Sequence, residues 1–300
     1  MKSSLAKKTE ERTAYIIFVA PALFLYLFVM AFPAVSSILL SLSTYRGGEM
    51  FGGNNLGFGG LSAYTNIFTD QYFFMSLKNN IYIVLISVFG QIPLGFFLAY
   101  TLYRGYINRT DFFQAMIYLP NVIAAVIIGI LFNRFLLSAN SVLLDIHRHF
   151  NPDVEFIPGK NAMLMILAVI LWMYTGVYML IFLANLQKID PSIIEASMID
   201  GASEMQTMRH IIIPALSSVF VTCAILAISG SLRSFDLIWV MTGGGPAYST
   251  SVLSIYMYDK AFRGAPNYPV ANAISTIMVI ICFILIGLTR LAEKRFSSGE

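Results

Sequence analysis

The sequence predicts an all-α integral membrane protein with six transmembrane helices. Of its 300 residues, 57% are hydrophobic and only 12% are charged, and the mean hydropathy is +0.73. Soluble globular domains carry about twice this share of charged residues. The apolar residues are also grouped into long runs, which are typical of membrane-spanning helices.

Six segments are apolar and long enough to cross a bilayer, which takes about 20 helical residues each. They are residues 14–42, 79–103, 112–137, 162–187, 213–240 and 269–290. The first is longer than the roughly 7 to 15 apolar residues of a cleavable signal core, so we expect it to be retained. The predicted organisation is an N-terminal tail (1–13), a six-helix domain (14–291) and a C-terminal tail (292–300).

Basic residues indicate the orientation of these helices. With both termini in the cytoplasm, the cytoplasmic cations are Lys2, Lys7, Lys8, Arg12, Arg104, Arg109, Lys188, Arg209, Arg290, Lys294 and Arg295. The excess is modest, because a second set lies on or near the opposite side: Arg46, Lys78, Arg134, Arg148, Lys160, Lys260 and Arg263. By the positive-inside rule we expect a multi-pass protein of the cytoplasmic (inner) membrane with cytoplasmic termini.

A polar stretch between the fourth and fifth apolar segments, residues 190–214, is called the knob below. Asp190-Pro191 supplies a helix N-cap and a first-turn proline, and Gly201 suits a left-handed helix stop. Ser203 and Gln206 have the spacing of a capping box. We therefore expect two short helices joined by a break, which on these features alone could be no more than an interfacial connector.

Several functional classes find little support in the residues. The chain has no GxxxxGK[ST], HExxH or GxSxG motif, and Cys223 and Cys282 lie in apolar runs without metal-ligand spacing. The cations lie at membrane edges, so we expect no nucleic-acid partner. A stand-alone ion-coupled secondary carrier using Arg233 and Asp236 remains an alternative, as does a membrane-bound enzyme.

The knob resembles the EAA loop of permease subunits in binding-protein-dependent ABC importers. The matching residues are Glu195, Ala196, Asp200, Gly201, Ala202, Ile211 and Pro214. Ser197 departs from the third EAA position, where the family has alanine. This small-for-small change preserves close packing and adds one hydroxyl.

Other stretches are similar to the carbohydrate permeases related to the maltose and glycerol-phosphate systems. They are Asn66 with Asp70, Leu119-Pro120, Leu183–Leu186 and Thr242–Pro246. The resemblance runs from the first apolar segment to the last and implies the type I ABC importer permease fold, with the knob as its cytoplasmic coupling helix. It also implies import of a sugar or oligosaccharide delivered by an extracytoplasmic solute-binding protein.

The same resemblance implies partners. They are a second homologous permease chain, two copies of a cytoplasmic ATPase, the solute-binding protein, the bilayer and the carbohydrate. ATP and magnesium would be bound by the ATPase, so we expect no cofactor, no metal and no catalytic site in this chain.

The resemblance also assigns roles to residues. Contact with the ATPase falls to Glu195, Ala196, Ser197, Asp200, Gly201, Ala202, Ile211 and Pro214. In this assignment Glu195 meets a cation, Asp200 fixes the turn, and the small residues permit close docking. Contact with the binding protein falls to Gly243, Gly244, Gly245 and Pro246, although a plain turn would have the same composition.

The candidates for the substrate path are Trp172, Tyr174, Arg233 and Asp236. Aromatic rings can stack on sugars, although interfacial belt or core positions are an equally ordinary use of them. Arg233 and Asp236 are three residues apart, which on a continuous helix puts them on one face. We expect either a mutual ion pair or direct contact with the substrate.

Overall fold

A computed structural model describes residues 15–47, 57–137, 149 and 158–297, and most of them are helical. The helices are α1 (Tyr15–Ser41), α2 (Ser62–Thr69), α3 (Gln71–Tyr103), α4 (Thr110–Val122), α5 (Ala125–Phe132), α6 (Pro158–Leu186), α7 (Pro191–Ile199), α8 (Glu204–Ala215), α9 (Ser217–Leu232), α10 (Asp236–Thr242), α11 (Leu253–Phe262) and α12 (Tyr268–Ser297).

Four helices are long and apolar enough to span a membrane by themselves: α1, α3, α6 and α12. Two further pairs qualify together but are bent, α4 with α5 by 87° and α8 with α9 by 67°. The described part of the chain therefore has six spans if each bent pair counts as one, in agreement with the predicted fold class.

Two predicted spans differ from the structure. The segment 112–137 is not one helix, because Ile123 and Ala124 are extended, with ψ values of 135° and 132°. The segment 213–240 is not one helix either, since it breaks at Leu216 and again between Leu232 and Asp236. Apolar composition predicted the runs correctly, but it carries no information about where the backbone bends inside them.

Three of the described helices contain a π-type turn shortly before a proline. The turns are Leu27–Ala31, Ser87–Gln91 and Met208–Ile212, and the prolines are Pro33, Pro93 and Pro214. A proline lacks the N–H that would bond to the carbonyl four residues earlier, and its ring crowds that carbonyl. A π-type turn shifts the local hydrogen-bond pattern, so α1 and α3 continue past their prolines, whereas α8 ends one residue after Pro214.

The chain divides into two units. The first comprises residues 1–69 and 257–277. Within its described part, the Ser37 hydroxyl donates to Asn272 Oδ1 at 2.6 Å, Ser41 Oγ lies 2.8 Å from the Tyr64 hydroxyl, and Tyr45 stacks on Tyr268. These contacts join α1 to α2 and to the start of α12.

The second unit comprises residues 70–256 and 278–300, and its described part contains two buried apolar clusters. One lies beside the knob and includes the aromatic trio Phe96, Phe182 and Phe220, whose ring centroids are 4.6 to 5.5 Å apart. The other joins α3, α6 and α10 through residues such as Ile83 and Ile238. Both clusters include side chains of α3 and α6, which therefore form the centre of this unit.

Candidate functional site

The knob has the two-helix structure that the sequence predicts. The Asp190 side chain accepts from the Ser192 backbone N–H at 2.9 Å, and this bond lowers the pKa of Asp190. Gly201 has φ +79°, and the capping box of Ser203 and Gln206 is present in both directions. α7 is therefore followed by a left-handed glycine, and α8 begins with a capping box, as the sequence predicts.

Ser197, the residue that departs from the EAA pattern, faces the interior of the knob. Its side chain is 7% exposed and its hydroxyl donates to the Ile194 carbonyl at 2.7 Å. It also lies 3.1 Å from the hydroxyl of Thr207, which is buried in α8. Ser197 therefore ties α7 to α8, and its hydroxyl does not belong to the exposed face of the knob.

A single carboxylate fastens the knob to the end of α3. Glu204 Oε1 accepts from the Tyr100 hydroxyl and from Arg104 Nε, each at 3.0 Å, and also from the Tyr106 hydroxyl. The bond from Tyr106, helped by those from Tyr100 and Arg104, lowers the pKa of Glu204. The carboxylate thus stays ionised at neutral pH. Sequence reasoning missed this cluster, because its members are about 100 positions apart along the chain.

The knob exposes several large apolar side chains among its polar ones. Ile199 is 86% exposed and Met205 is 65% exposed, and Ile193 and Met198 are about half exposed. Glu195, Ala196, Asp200, Gly201 and Pro214 are also exposed, while Ala202 and Ile211 are partly buried. A shallow depression of about 330 Å³ opens on the knob, lined by Asp200, Gly201, Ala202, Gln206, Thr207, His210 and Ile211.

A second candidate site is a cavity of about 210 Å³ inside the helices of the second unit. Its lining residues are Ile83, Ser87, Gln91, Ala125, Ile170, Tyr174, Tyr178, Ala227, Gly230, Ser231, Arg233, Ser234, Phe235, Asp236, Leu237 and Ile238. Three of the four predicted substrate-path residues are among them. Trp172 is not, since it is 49% exposed and packs edge-on against Phe132.

Arg233 and Asp236 do not lie on one helix face, contrary to the sequence prediction. The helix α9 ends at Leu232, Phe235 has the non-helical dihedrals φ −139° and ψ −65°, and Asp236 begins α10. Arg233 Nε donates to the Ser229 carbonyl at 3.2 Å. Arg233 and Asp236, both of which the structure describes, do not form an ion pair with each other. Both side chains are exposed and both line the cavity.

Polar residues of α3 complete one wall of this cavity. The Gln91 amide donates to the Ile170 carbonyl at 2.8 Å, and Ser231 Oγ donates to Ser87 Oγ at 3.1 Å. A glutamine in an apolar run is a signal for a buried functional or packing contact. The sequence does not say which way such a residue faces, because α3 is apolar on most of its circumference.

The turn at Gly243–Pro246 is held by its own chain. Gly243 ends α10 with φ +60° and donates to the Trp239 carbonyl at 2.8 Å. The Thr250 hydroxyl donates to the Gly245 carbonyl at 3.0 Å. Gly244 is buried, and a Cβ there would lie 3.1 Å from Ile255 Cγ2. Only the end of the turn, at Pro246 and Ala247, is exposed.

Two adjacent asparagines anchor the segment that follows this turn. The Asn79 amide donates to the carbonyls of Ser249 and Ser251, at 3.0 and 2.8 Å. The Asn80 amide donates to the Ser231 carbonyl, and its Oδ1 accepts from the Leu253 N–H. Asn80 thereby adds a side-chain donor to a carbonyl near the end of α9 and satisfies the Leu253 N–H at the start of α11, which has no partner within that helix.

The amino-acid sequence is similar to membrane components of transport systems along most of its length. Residues 91–298 match the family described as binding-protein-dependent transport system inner membrane component. The lactose transport system permease protein LacF of Rhizobium radiobacter is 33% identical over 90% of each chain. The multiple sugar-binding transport system permease protein MsmF of Streptococcus mutans is 30% identical over 81% of this chain and 82% of its own.

The fold also matches a solved structure. A chain in the crystal structure of a bacterial ABC transporter involved in the import of the acidic polysaccharide alginate superimposes with a TM-score of 0.80. The match covers 97% of this chain and 98% of that one at 18% sequence identity. The type I ABC importer permease fold predicted from the sequence is therefore confirmed.

Proposed function

Because the chain belongs to the family of binding-protein-dependent transport system inner membrane components, we propose that it is the permease through which an ATP-driven importer moves a sugar or oligosaccharide. The chain is a multi-pass transport subunit of an ABC importer. Membership of this family does not fit the alternative of a stand-alone ion-coupled carrier.

The observation that carries the proposal is that the knob lies, along the chain, between two helices that line the cavity. α6 supplies Tyr174 and Tyr178 to the cavity, and α9 supplies Ala227 and Ser231. The knob is the only chain segment that joins α6 to α9, so its displacement pulls on both walls. A partner that moves the knob can therefore reshape the cavity.

The partner of the knob is a cytoplasmic ATPase that binds ATP and magnesium. The exposed side chains of Ile199 and Met205 offer it an apolar surface, and Glu195 offers it a charge. Gly201 has open space around it, so a partner can approach its backbone closely. Two copies of the ATPase would serve this chain and a second homologous permease, since one chain provides one knob.

The cavity supports a carbohydrate as the cargo. Rings of Tyr174 and Tyr178 can stack on the apolar faces of a sugar, and Gln91 and the serines of the wall can exchange hydrogen bonds with its hydroxyls. Arg233 and Asp236 place one charge of each sign there. The names of LacF and MsmF describe sugar transport systems, which supports the same class of cargo here.

The other end of the path is proposed to face a solute-binding protein outside the membrane. Pro246 and Ala247 are exposed at the end of a turn whose preceding residues are firmly bonded. A rigid turn of this kind presents one fixed shape to a partner. In this arrangement the knob and both termini lie in the cytoplasm.

The proposal is tested by co-purification and transport. The complete transporter is assembled with its second permease, ATPase and binding protein in proteoliposomes, and sugar uptake and ATP hydrolysis are measured. We expect ATP-dependent uptake, and we expect Glu195→Ala and Gly201→Asp to reduce the ATPase retained by the permease. The control is Glu293→Gln, which removes a carboxylate paired to Arg290 outside the knob.

Two results would contradict the proposal. ATP-independent uptake driven by an ion gradient would revive the carrier. Full retention of the ATPase by both knob variants, at normal expression, would remove the coupling role from the knob.

A further inference from the structure

Glu204 is the one acidic side chain of α8, and it receives three donors from a different element. Tyr100 lies in the last turn of α3. Arg104 and Tyr106 follow directly after the end of this helix at Tyr103. The Tyr100 hydroxyl oxygen and Arg104 Nε each lie 3.0 Å from Glu204 Oε1. Hydrogen bonds to a charged group are shorter and stronger than neutral ones.

We propose that Glu204, Tyr100, Arg104 and Tyr106 form a latch that transmits displacement of the knob to α3 and so to the cavity wall. This inference rests on the proposed function. In this account Glu204 is a positioning residue, which acts through α3 and not by contact with the ATPase or the cargo.

The geometry of α3 supports the transmission step. α3 is a continuous helix over Gln71–Tyr103 and carries Ile83, Ser87 and Gln91 of the cavity wall. Nine residues separate Gln91 from Tyr100, which corresponds to about 14 Å along a helix. α3 is not joined to the knob through the chain, unlike α6 and α9. Without a direct bond, it would follow the knob only through apolar packing.

Apolar packing between the same elements is present but differs in character. Ile194 and Ile212 of the knob are buried in the cluster that includes Tyr100 and Leu102. Apolar contact is non-directional and tolerates sliding. The latch fixes the register of the contact, since its three donors converge on one oxygen of Glu204.

The exposure of the latch decides how it is best tested. The Glu204 side chain is 44% exposed and that of Arg104 is 22% exposed. Partly exposed ion pairs add little to stability, so removing the latch should leave the folded protein intact. The effect should instead be seen in how well hydrolysis and transport are coupled.

The test uses the complete transporter in proteoliposomes, with Glu204→Gln and Tyr106→Phe compared with wild type. The readouts are the ATPase retained per permease and the cargo imported per ATP hydrolysed. We expect unchanged retention and a fall of about fivefold or more in cargo per ATP for Glu204→Gln, the lower end of allosteric coupling between sites. A merely structural role would lower uptake and hydrolysis together and leave their ratio unchanged.

Two further variants sharpen the result. The double variant Glu204→Gln with Tyr106→Phe should lose less than the sum of the two single effects, because both changes act on the same contact: glutamine keeps an acceptor oxygen but lacks the charge, and phenylalanine lacks the donor. Glu293→Gln is the matched control, since its carboxylate pairs with Arg290 three residues earlier on the same helix. Its cargo per ATP should equal that of wild type.

Three outcomes would overturn the latch. The first is a wild-type value of cargo imported per ATP in Glu204→Gln. The second is a fall in cargo per ATP in the double variant that equals the sum of the two single effects. The third is loss of the ATPase from Glu204→Gln, which would place Glu204 on the docking face. If Glu204→Gln does not accumulate, Tyr106→Phe decides alone, and a wild-type ratio in it overturns the latch. Failure of the proposed function is distinct, because wild type itself would then show no ATP-dependent uptake.

Discussion

At the scale of residues, the knob combines a motif with contacts that the motif does not contain. Its caps depend on neighbours within a few positions: Asp190 with Ser192, and Ser203 with Gln206. Ser197 bonds instead to Thr207 across the break. The extra hydroxyl at the third EAA position therefore has a physical role inside the knob.

Replacing this hydroxyl should weaken the knob. Ser197→Ala removes the side-chain partner of the buried Thr207 hydroxyl and should lower the free energy of unfolding by about 1 kcal/mol. Thermal unfolding of the purified protein measures this. Ser217→Ala, an exposed serine-to-alanine change outside the knob, should lie within about 0.5 kcal/mol of wild type.

A second substitution distinguishes this account from a general effect at Ser197. Adding Thr207→Val to Ser197→Ala removes both hydroxyls, so no unpaired donor remains, and part of the loss should return. A double variant less stable than the sum of the single ones would contradict the assigned bond.

At the scale of elements, breaks and close approaches set the shape of the second unit. The interruption between α9 and α10 places Arg233 and Asp236 in two different elements beside the cavity. Glycines allow the helices to approach one another at Gly95 and Gly176. A Cβ at Gly176 would lie 2.5 Å from the Ile117 carbonyl oxygen of α4, which is backbone and must move to make room.

Gly176→Ala should therefore push α6 away from α4 and destabilise the protein by about 1 to 3 kcal/mol. Thermal unfolding is the measurement. Gly287→Ala is the matched control, because it also lies within a membrane helix but has no other group within 4 Å of the new Cβ. Alanine is the better helix former, so the control should be neutral or slightly stabilising. Equal effects of the two changes would argue against the close approach.

At the scale of the whole molecule, the proposed transport cycle depends on orientation. The knob must face the compartment that contains ATP, and the Gly243–Pro246 turn must face the binding protein. The excess of cytoplasmic cations predicts this arrangement.

Cysteine accessibility tests the orientation. Ile199→Cys and Ala247→Cys are each introduced into a background with Cys223→Ala and Cys282→Ala, and both positions are exposed. A membrane-impermeant thiol reagent added from outside should label Ala247→Cys, while Ile199→Cys should react only after the membrane is opened. The reverse pattern would invert the orientation and remove the knob from the cytoplasm.

The sequence by itself determined the membrane class, the approximate spans, the capped knob and the family. All of these depend on composition or on residues a few positions apart, so local patterns are sufficient to read them. The knob is the clearest case, since the cap at Asp190, the stop at Gly201 and the capping box at Ser203 were all confirmed.

Only the tertiary structure decided which side chains meet. Glu204 joins Tyr100 and Arg104 across about 100 residues, and Trp172 faces away from the cavity that Tyr174 lines. The physical reason is that a membrane helix is apolar on most sides, so its periodicity does not reveal which face packs inward. Contacts between distant elements, and the breaks that orient them, arise from packing and not from local spacing.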